Sequence, residues 1–390
     1  MKKVLVTSGN SRIAYNICRS LSKRGFTVFV GEGHSCSMAS VSRYCSKSMR
    51  YSSPFTKQRQ FLKDINTFLE ANAVDILIPV LEETYTIAKY RNDLSPQVAS
   101  FLPDYTQILA VHDKSRLTNL ARGLGISVPP TWEATDLLTG EYAAADLPFP
   151  VILKPKQGGG GWGMQKFTSG EELMNVLRNG VPIPERFFVQ GIVEGRSVCV
   201  CGICNKGKLL ASDSYVSTTV YPLQVGQATT RESWSDVNAS WAFERLLGHL
   251  GWSGVCEMDF IVDNDSGTSY LLDVNPRFWG GLAQNLAAGV EYPYYYCQLA
   301  LGQENFPVSE AVLGRRTRWL GGDIMRMVAE FRAAESKFAY LSQAMRQKVS
   351  YALCDDWDRS DPLPFLAWGL GLCTQKILKR KKDTLPDIWE

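Results

Sequence analysis

Long apolar runs are missing from this chain. Nothing approaches the roughly 18 unbroken apolar residues of a membrane span, so no transmembrane helix is expected. Histidine is nearly absent: His34, His112 and His249 are the only three in 390 residues, which makes an imidazole base a poor expectation. A dominant charge sign is lacking as well. The 42 Lys and Arg against 39 Asp and Glu leave a net charge of +3. Without a basic stripe interleaved with aromatics, that balance argues against nucleic acid and suits phosphorylated small molecules better. The start, MKKVLVTSGNSRIAYN, has a basic pair but an apolar run of only about four residues, which reads as a first β-strand and not as an export signal. The ten cysteines then read as reduced thiols of a cytoplasmic protein.

What is present is an ordinary globular composition, 45% apolar and 21% charged, in a chain long enough for two or three packed units. Up to residue 112, short apolar strands alternate with helical stretches, the pattern of a parallel sheet: strands at 4–7, 27–30 and 75–79, helices at 12–22 and 61–70. The first strand-to-helix junction, TSGNSRIA, lacks the full glycine fingerprint of a dinucleotide site. Asp113 can cap a helix carrying Leu117, Leu120 and Leu124, which Gly125 and Pro129-Pro130 end. Strands and hairpins fill 186–230, and 234–250 reads as an amphipathic helix. Cys199, Cys201 and Cys204 sit close together, but no further cysteine pair or histidine completes a zinc set, so they read as small buried apolar residues.

From about 307 the pattern is helical, around 325–339 and 341–351. The tail DPLPFLAWGLGLCTQKILKRKK holds an apolar run of about a dozen residues followed by the basic cluster Lys379 to Lys382. It either packs on the body of the protein or lies on an anionic membrane surface, and packing needs no lipid to explain its tryptophan and prolines.

The chemistry is concentrated in two places. The strands GVCEMDFIV and SYLLDVN are joined by the turn 263–267. Alternation puts Glu257 and Asp259 on one face of the first strand, and Asp273 and Asn275 on one face of the second. A symmetric hairpin sets Asp259 opposite Asp273 and Glu257 opposite Asn275. Three carboxylates on one patch repel, and a divalent cation with a taste for oxygen ligands relieves the conflict. The alternative is a solvated acidic face, against which stands the apolar character of both strands.

The second place is PVILKPKQGGGGWGM. Lys154 ends an apolar strand, where its ammonium can meet a phosphate, and Gly158 to Gly161 let consecutive backbone N–H groups approach an anion. The lysine precedes the glycines and no Gly-Lys-Ser/Thr follows, so this is not a Walker A loop; it reads as a lid.

The order DK…LGISVP, VILKPKQGGGGWGM, FFVQGIVEG, EMDF, LLDVNPRFWG resembles the ATP-grasp superfamily, in the neighbourhood of biotin carboxylase, carbamoyl-phosphate synthetase and the D-alanine ligases, over about residues 1–305. The resemblance implies an α/β and α+β architecture. A Rossmann-like domain (1–112) precedes the two halves of the grasp (113–185 and 186–306), and a mainly helical extension (307–390) follows.

It further implies that Lys114, Lys154, Gly158, Gly159, Gly160, Gly161 and Gly163 contact ATP. Gln190 and Val193 would lie in the adenine hinge, with Glu194 as a ribose partner. Mg2+, or Mn2+ in its place, would sit on Asp259, Asp273 and Asn275 beside Glu257. Arg277, Lys154 and, more weakly, Arg231 would stabilise the transferring phosphoryl group. The hinge departs from the pattern at Gly191 and Arg196, and the lid at Trp162.

The implied activity is an ATP-dependent carboxylate-amine ligase working through an acyl phosphate on small-molecule substrates, often as a homodimer. The alternatives are bicarbonate activation and nucleotide binding without turnover. No biotin-accepting Met-Lys-Met is present in these residues, so bicarbonate chemistry would need an acceptor in trans.

Overall fold

The computed structural model describes residues 1–34, 36–158, 163–223, 226–346 and 350–378, the side chains of 343–346 and 372–378 excepted. The first layer is a parallel sheet of β1 (Lys3–Val6), β2 (Thr27–Glu32), β3 (Lys47–Arg50) and β4 (Ile76–Ile78), in the order β3-β2-β1-β4. Around it lie α1 (Arg12–Lys23), α2 (Gln58–Ala71), α3 (Glu83–Lys89) and α4 (Tyr105–His112). The strands expected at 4–7, 27–30 and 75–79 and the helices at 12–22 and 61–70 are all present. The edge strand β3 was not foreseen, because its residues Lys47-Ser48-Met49-Arg50 are mostly exposed and show no apolar period. Ser11 caps α1, its hydroxyl accepting from the Ala14 N–H.

Helix α5 (Lys114–Gly123) follows, capped by Asp113, whose carboxylate accepts from the Ser115 and Arg116 amides. A small four-stranded sheet comes next. Its strands are β5 (Thr131–Glu133), β6 (Val151–Pro155), β7 (Gln165–Phe167) and β8 (Phe187–Gly191), ordered β5-β8-β6-β7 and packed on α6 (Ala134–Thr139) and α7 (Gly170–Asn179).

The central sheet is built on β9 (Gly195–Asn205), β10 (Lys208–Tyr221) and β11 (Gln227–Trp234). Lys206 and Gly207 make the first turn with φ of 50° and 78°, the left-handed pair that a two-residue hairpin of this twist requires. Helix α8 (Val237–His249) starts later than the sequence pattern suggests, because 227–234 continues the sheet. After it come β12 (Gly254–Asp263), β13 (Ser269–Asn275), α9 (Leu282–Ala288) and α10 (Tyr292–Ala300).

The last segment holds β14 (Arg316–Arg318), α11 (Leu320–Ala333), α12 (Lys337–Arg346), β15 (Leu353–Cys354) and α13 (Leu363–Leu378). Its helices fall some residues before the expected 325–339 and 341–351. Its two short strands complete a seven-stranded sheet, β13-β12-β9-β10-β11-β14-β15. Three residues of alternation in β14 are too few to show as a strand in sequence.

Alternation divides the central sheet between two cores. Val200, Met258 and Phe260 pack against α8 and α5. Cys199, Cys201 and Tyr215 face the other way, into a core continuous with Val4, Val6, Ile13 and Ile17 of the first layer and with Trp279 and Tyr292. The acidic residues of β12 share this second face, so they lie at the junction between the first layer and the central sheet.

Candidate active site

The β12–β13 hairpin has the register that counting predicted: Glu257 pairs with Asn275 and Asp259 with Asp273, with an irregularity between Asp259 and Phe260. Glu257 is buried. One of its oxygens accepts from the Tyr215 hydroxyl at 2.6 Å and the other from the Asn275 amide at 3.2 Å. Asp259 accepts from the Cys199 thiol at 3.1 Å and from the same Asn275 amide at 3.4 Å. Among the described residues, no basic side chain stands within ion-pair distance of Glu257 or Asp259. Burial, with Asp259 repelling Glu257 and Asp273 repelling Asp259, therefore pushes both carboxyls upward. A buried acid and a half-buried one, sharing one amide and lacking a direct ion pair among the described residues, make a donor set that fits a hard divalent cation, with Asn275 able to add an amide oxygen.

Two lysines stand at the edge of this patch. Lys114, at the start of α5, lies 3.2 Å from Asp273 and donates to the Gly158 carbonyl at 2.6 Å. Lys154, on β6, donates to the Gln190 side chain of neighbouring β8 at 2.7 Å, and Gln190 in turn donates to Thr131 at 3.2 Å. Burial pushes the Lys154 ammonium down to about 8; Asp273 opposes this and Lys114 adds to it. Lys156 forms an ion pair of 2.7 Å with Glu133. Gly158 and Gly163 flank the lid with φ of 104° and 72°, whereas Gly159, Gly160, Gly161 and Trp162 lie outside the described residues.

Two residues after Asn275, Arg277 would share its strand face if β13 continued, but it does not. The ladder stops at Asn275, since Pro276 has no N–H to continue it, and Arg277 sits in the following turn. Its guanidinium donates to Glu82 at 3.0 Å and to the Phe278 carbonyl at 2.9 Å, and its buried Nε has no partner among the described residues. Burial alone would lower its pKa, but Glu82 and the nearby Tyr85 and Glu257 outweigh it and hold the charge on.

Arg231 is only 2% exposed and donates to Asp355 at 2.8 Å, beneath the surface of the site. Val193 follows β8 in a loop, and the adjoining Glu194 is exposed, its carbonyl accepting from Asn264 at 3.2 Å. Burial, with Lys114 nearby, pushes His112 down to about 4, so it stands neutral against the Tyr85 ring as local packing.

Two residues at the site, Cys199 and Glu82, were not picked out from the sequence as part of it. Cys199 converges with Glu257 and Asp259, their ligand atoms all within 4.8 Å of one another. This follows from the β9–β12 pairing of Cys199 with Asp259, which no local pattern announces. Tyr215 reaches Glu257 from β10. Glu82 follows a parallel strand in PVLEET, and acids at the carboxyl ends of such strands are a usable signal.

Comparison with known proteins agrees with this architecture. Residues 111–281 match the model of the ATP-grasp domain. A biotin carboxylase from Campylobacter jejuni superposes with a TM-score of 0.64 at 16% identity, over 81% of this chain and 74% of that one. An L-amino acid ligase from Bacillus licheniformis gives 0.60 at 13% identity, over 77% and 74%. An N5-carboxyaminoimidazole ribonucleotide synthetase from Thermotoga maritima gives 0.56 at 16%, over 81% and 79%. The fold is that of the ATP-grasp superfamily, and the hairpin acids, the lysines and the lid all fall within or beside its ATP-grasp domain.

Proposed function

We propose that the protein is an ATP-dependent ligase that activates a small-molecule carboxylate as an acyl phosphate and passes the acyl group to an amine. The observation that carries this reading is the convergence of Asp259, Asp273 and Asn275 with Lys114, Lys154 and Arg277 at the junction of three layers. A magnesium ion bound by the three hairpin residues, with Glu257 behind them, would offset the charge of the triphosphate.

The chain's own residues do the rest. Lys114 and Lys154 hold phosphate oxygens, and Gln190 keeps Lys154 oriented through its 2.7 Å hydrogen bond. The lid between Gly158 and Gly163 closes over the phosphates and excludes water. Arg277, steadied by Glu82, faces the charge that develops when two anions meet. The carboxylate oxygen forms a bond to the γ-phosphorus as the bond to ADP breaks. The amine nitrogen then bonds to the acyl carbon, phosphate leaves with the former carboxylate oxygen, and the amine gives up a proton. Placement of two anions in line supplies most of the rate.

The L-amino acid ligase that shares this fold supports the choice of an amine acceptor. The test is ADP release with Mg-ATP across pools of carboxylates, bicarbonate included, with hydroxylamine present to trap an acyl phosphate. Wild type is compared with Asp273→Ala. Acid-dependent ADP and a hydroxamate, both lost in the variant, would support the ligase; turnover with bicarbonate alone would transfer the reading to carboxylation, and ATP binding without turnover in any pool would overturn it.

A further inference from the structure

A cavity of about 120 Å³ lies at the carboxyl ends of β2 and β3, the end at which ligands sit in an open parallel sheet. Its lining shares no residue with the ATP site. In the order β3-β2-β1-β4, β2 is two strand spacings, about 10 Å, from β4, which leads to Glu82 and so to Arg277. The cavity therefore stands on the far edge of the first layer.

Its titratable residues are Glu32, His34 and Arg50, and its hydroxyls are those of Ser37, Ser40 and Ser48. Glu32 and Arg50 are direct partners in the β2–β3 register, yet among the described residues they form no ion pair with each other or with any other side chain. Amides alone hold the Glu32 carboxylate: one oxygen accepts from Gly33 at 2.6 Å and the other from Asn10 at 2.8 Å. The Ser40 hydroxyl is occupied, accepting from the Ser37 amide at 2.8 Å and donating to the Ser37 carbonyl at 2.9 Å. Ser37 itself is only 1% exposed, and its hydroxyl has no partner among the described residues. A buried hydroxyl left unpaired is a cost that a ligand can remove.

The two charges select the ligand. A simple anion would meet Arg50 and the Ser37 hydroxyl but face the Glu32 carboxylate, and a simple cation would leave Arg50 unmatched. A molecule with an ammonium group for Glu32 and a carboxylate for Arg50 and Ser37 satisfies all three. Size sets the bound. A cavity of about 150 Å³ holds benzene, so this one takes roughly six heavy atoms, enough for glycine or alanine and too few for a nucleotide.

We propose that this cavity is a second ligand site, binding a small zwitterion of the α-amino acid type with its ammonium on Glu32 and its carboxylate on Arg50 and Ser37. This proposal does not rest on the reading of the ATP site.

The test is isothermal titration calorimetry of the full chain, without ATP, against glycine, L-alanine and L-serine, with acetate and methylammonium as single-charge controls. Saturable binding is expected for at least one amino acid and for neither control. Arg50→Met, at an exposed position, should weaken it about tenfold or more and leave the thermal unfolding transition in place. Glu32→Gln should weaken it as much, and Ser37→Ala about fivefold. Arg277→Met should leave it intact, which separates this site from an amino acid held at the ATP site. Should Glu32→Gln unsettle the turn at Asn10, Arg50→Met and Ser37→Ala carry the test. No binding of any of the three amino acids up to about 10 mM would overturn the proposal. So would binding of either control as tight as theirs, or binding lost in Arg277→Met and kept in Arg50→Met.

Discussion

Replacing Asp355 with Asn should destabilise the fold by about 3–5 kcal/mol, the cost of leaving buried charge without its partner. Asp355 is fully buried and is shared by two guanidinium groups, Arg231 at 2.8 Å and Arg12 at 3.3 Å. Arg231 keeps a hydrogen bond to the Ala228 carbonyl, and Arg12 keeps bonds to the Gly280 carbonyl and to Gln227. Those neutral acceptors cannot cancel two positive charges. The neighbouring Asp356 is already occupied by the Leu320 and Gly321 amides. Urea denaturation of wild type, Asp355→Asn, Arg231→Met and the double variant gives the coupling directly. Arg231→Met should cost less than Asp355→Asn, because Arg12 still neutralises the carboxylate. A loss below about 1 kcal/mol in Asp355→Asn would refute the argument, since only a solvated pair is worth so little. The same variants decide what Arg231 does. If it is structural, the loss of turnover in Arg231→Met follows the loss of folded protein; a folded but inactive variant would return it to the chemistry.

Other predictions follow from the site itself. Burial holds Lys154 at about 8 in the ATP-free protein, so at pH 8 about half of it is neutral, and a bound phosphate restores the charge. ATP binding at pH 8 should therefore take up about half a proton, read by calorimetry in buffers of different ionisation enthalpy. The uptake should vanish at pH 6 and in Lys154→Met, and proton release would contradict it. Because the folded value lies below the unfolded one, the stability linked to this group is present above the unfolded value and lost as pH falls through about 8. Arg277→Met should lower turnover about 10²–10³-fold with ATP binding retained; parallel losses of both would make it a binding residue only. A Cβ at Gly281 would meet the Tyr215 hydroxyl at 2.2 Å, so Gly281→Ala should cost about 1–3 kcal/mol in denaturation and push Tyr215 off Glu257. An unchanged midpoint would mean that Tyr215 moves aside freely.

The hairpin acids could be read in advance because everything that places them is local. A period of two selects the face, and a short turn selects the register, so Asp259 and Asp273 meet by counting alone. Asp113 as a cap was legible for the same reason. The helix at 234–250 was read too long because Trp234 satisfies both the helical period and the end of β11. Of the tail's helix, one face packs on Trp357 and Trp319, while Leu363, Leu366 and Leu370 stand exposed.

The sequence by itself determined which residues carry oxygen donors, ammonium groups and glycines, and on which face of each strand or helix they stand, since those follow from backbone geometry within a few residues. Only the tertiary structure decided that Cys199 lies against Asp259, that Arg277 turns to Glu82 across 195 residues, and that Asp355 buries Arg231. Each of these depends on strand order and on the packing of layers far apart in the chain. No periodicity encodes such contacts, because they are selected by the burial of the whole sheet and not by the residues that make them.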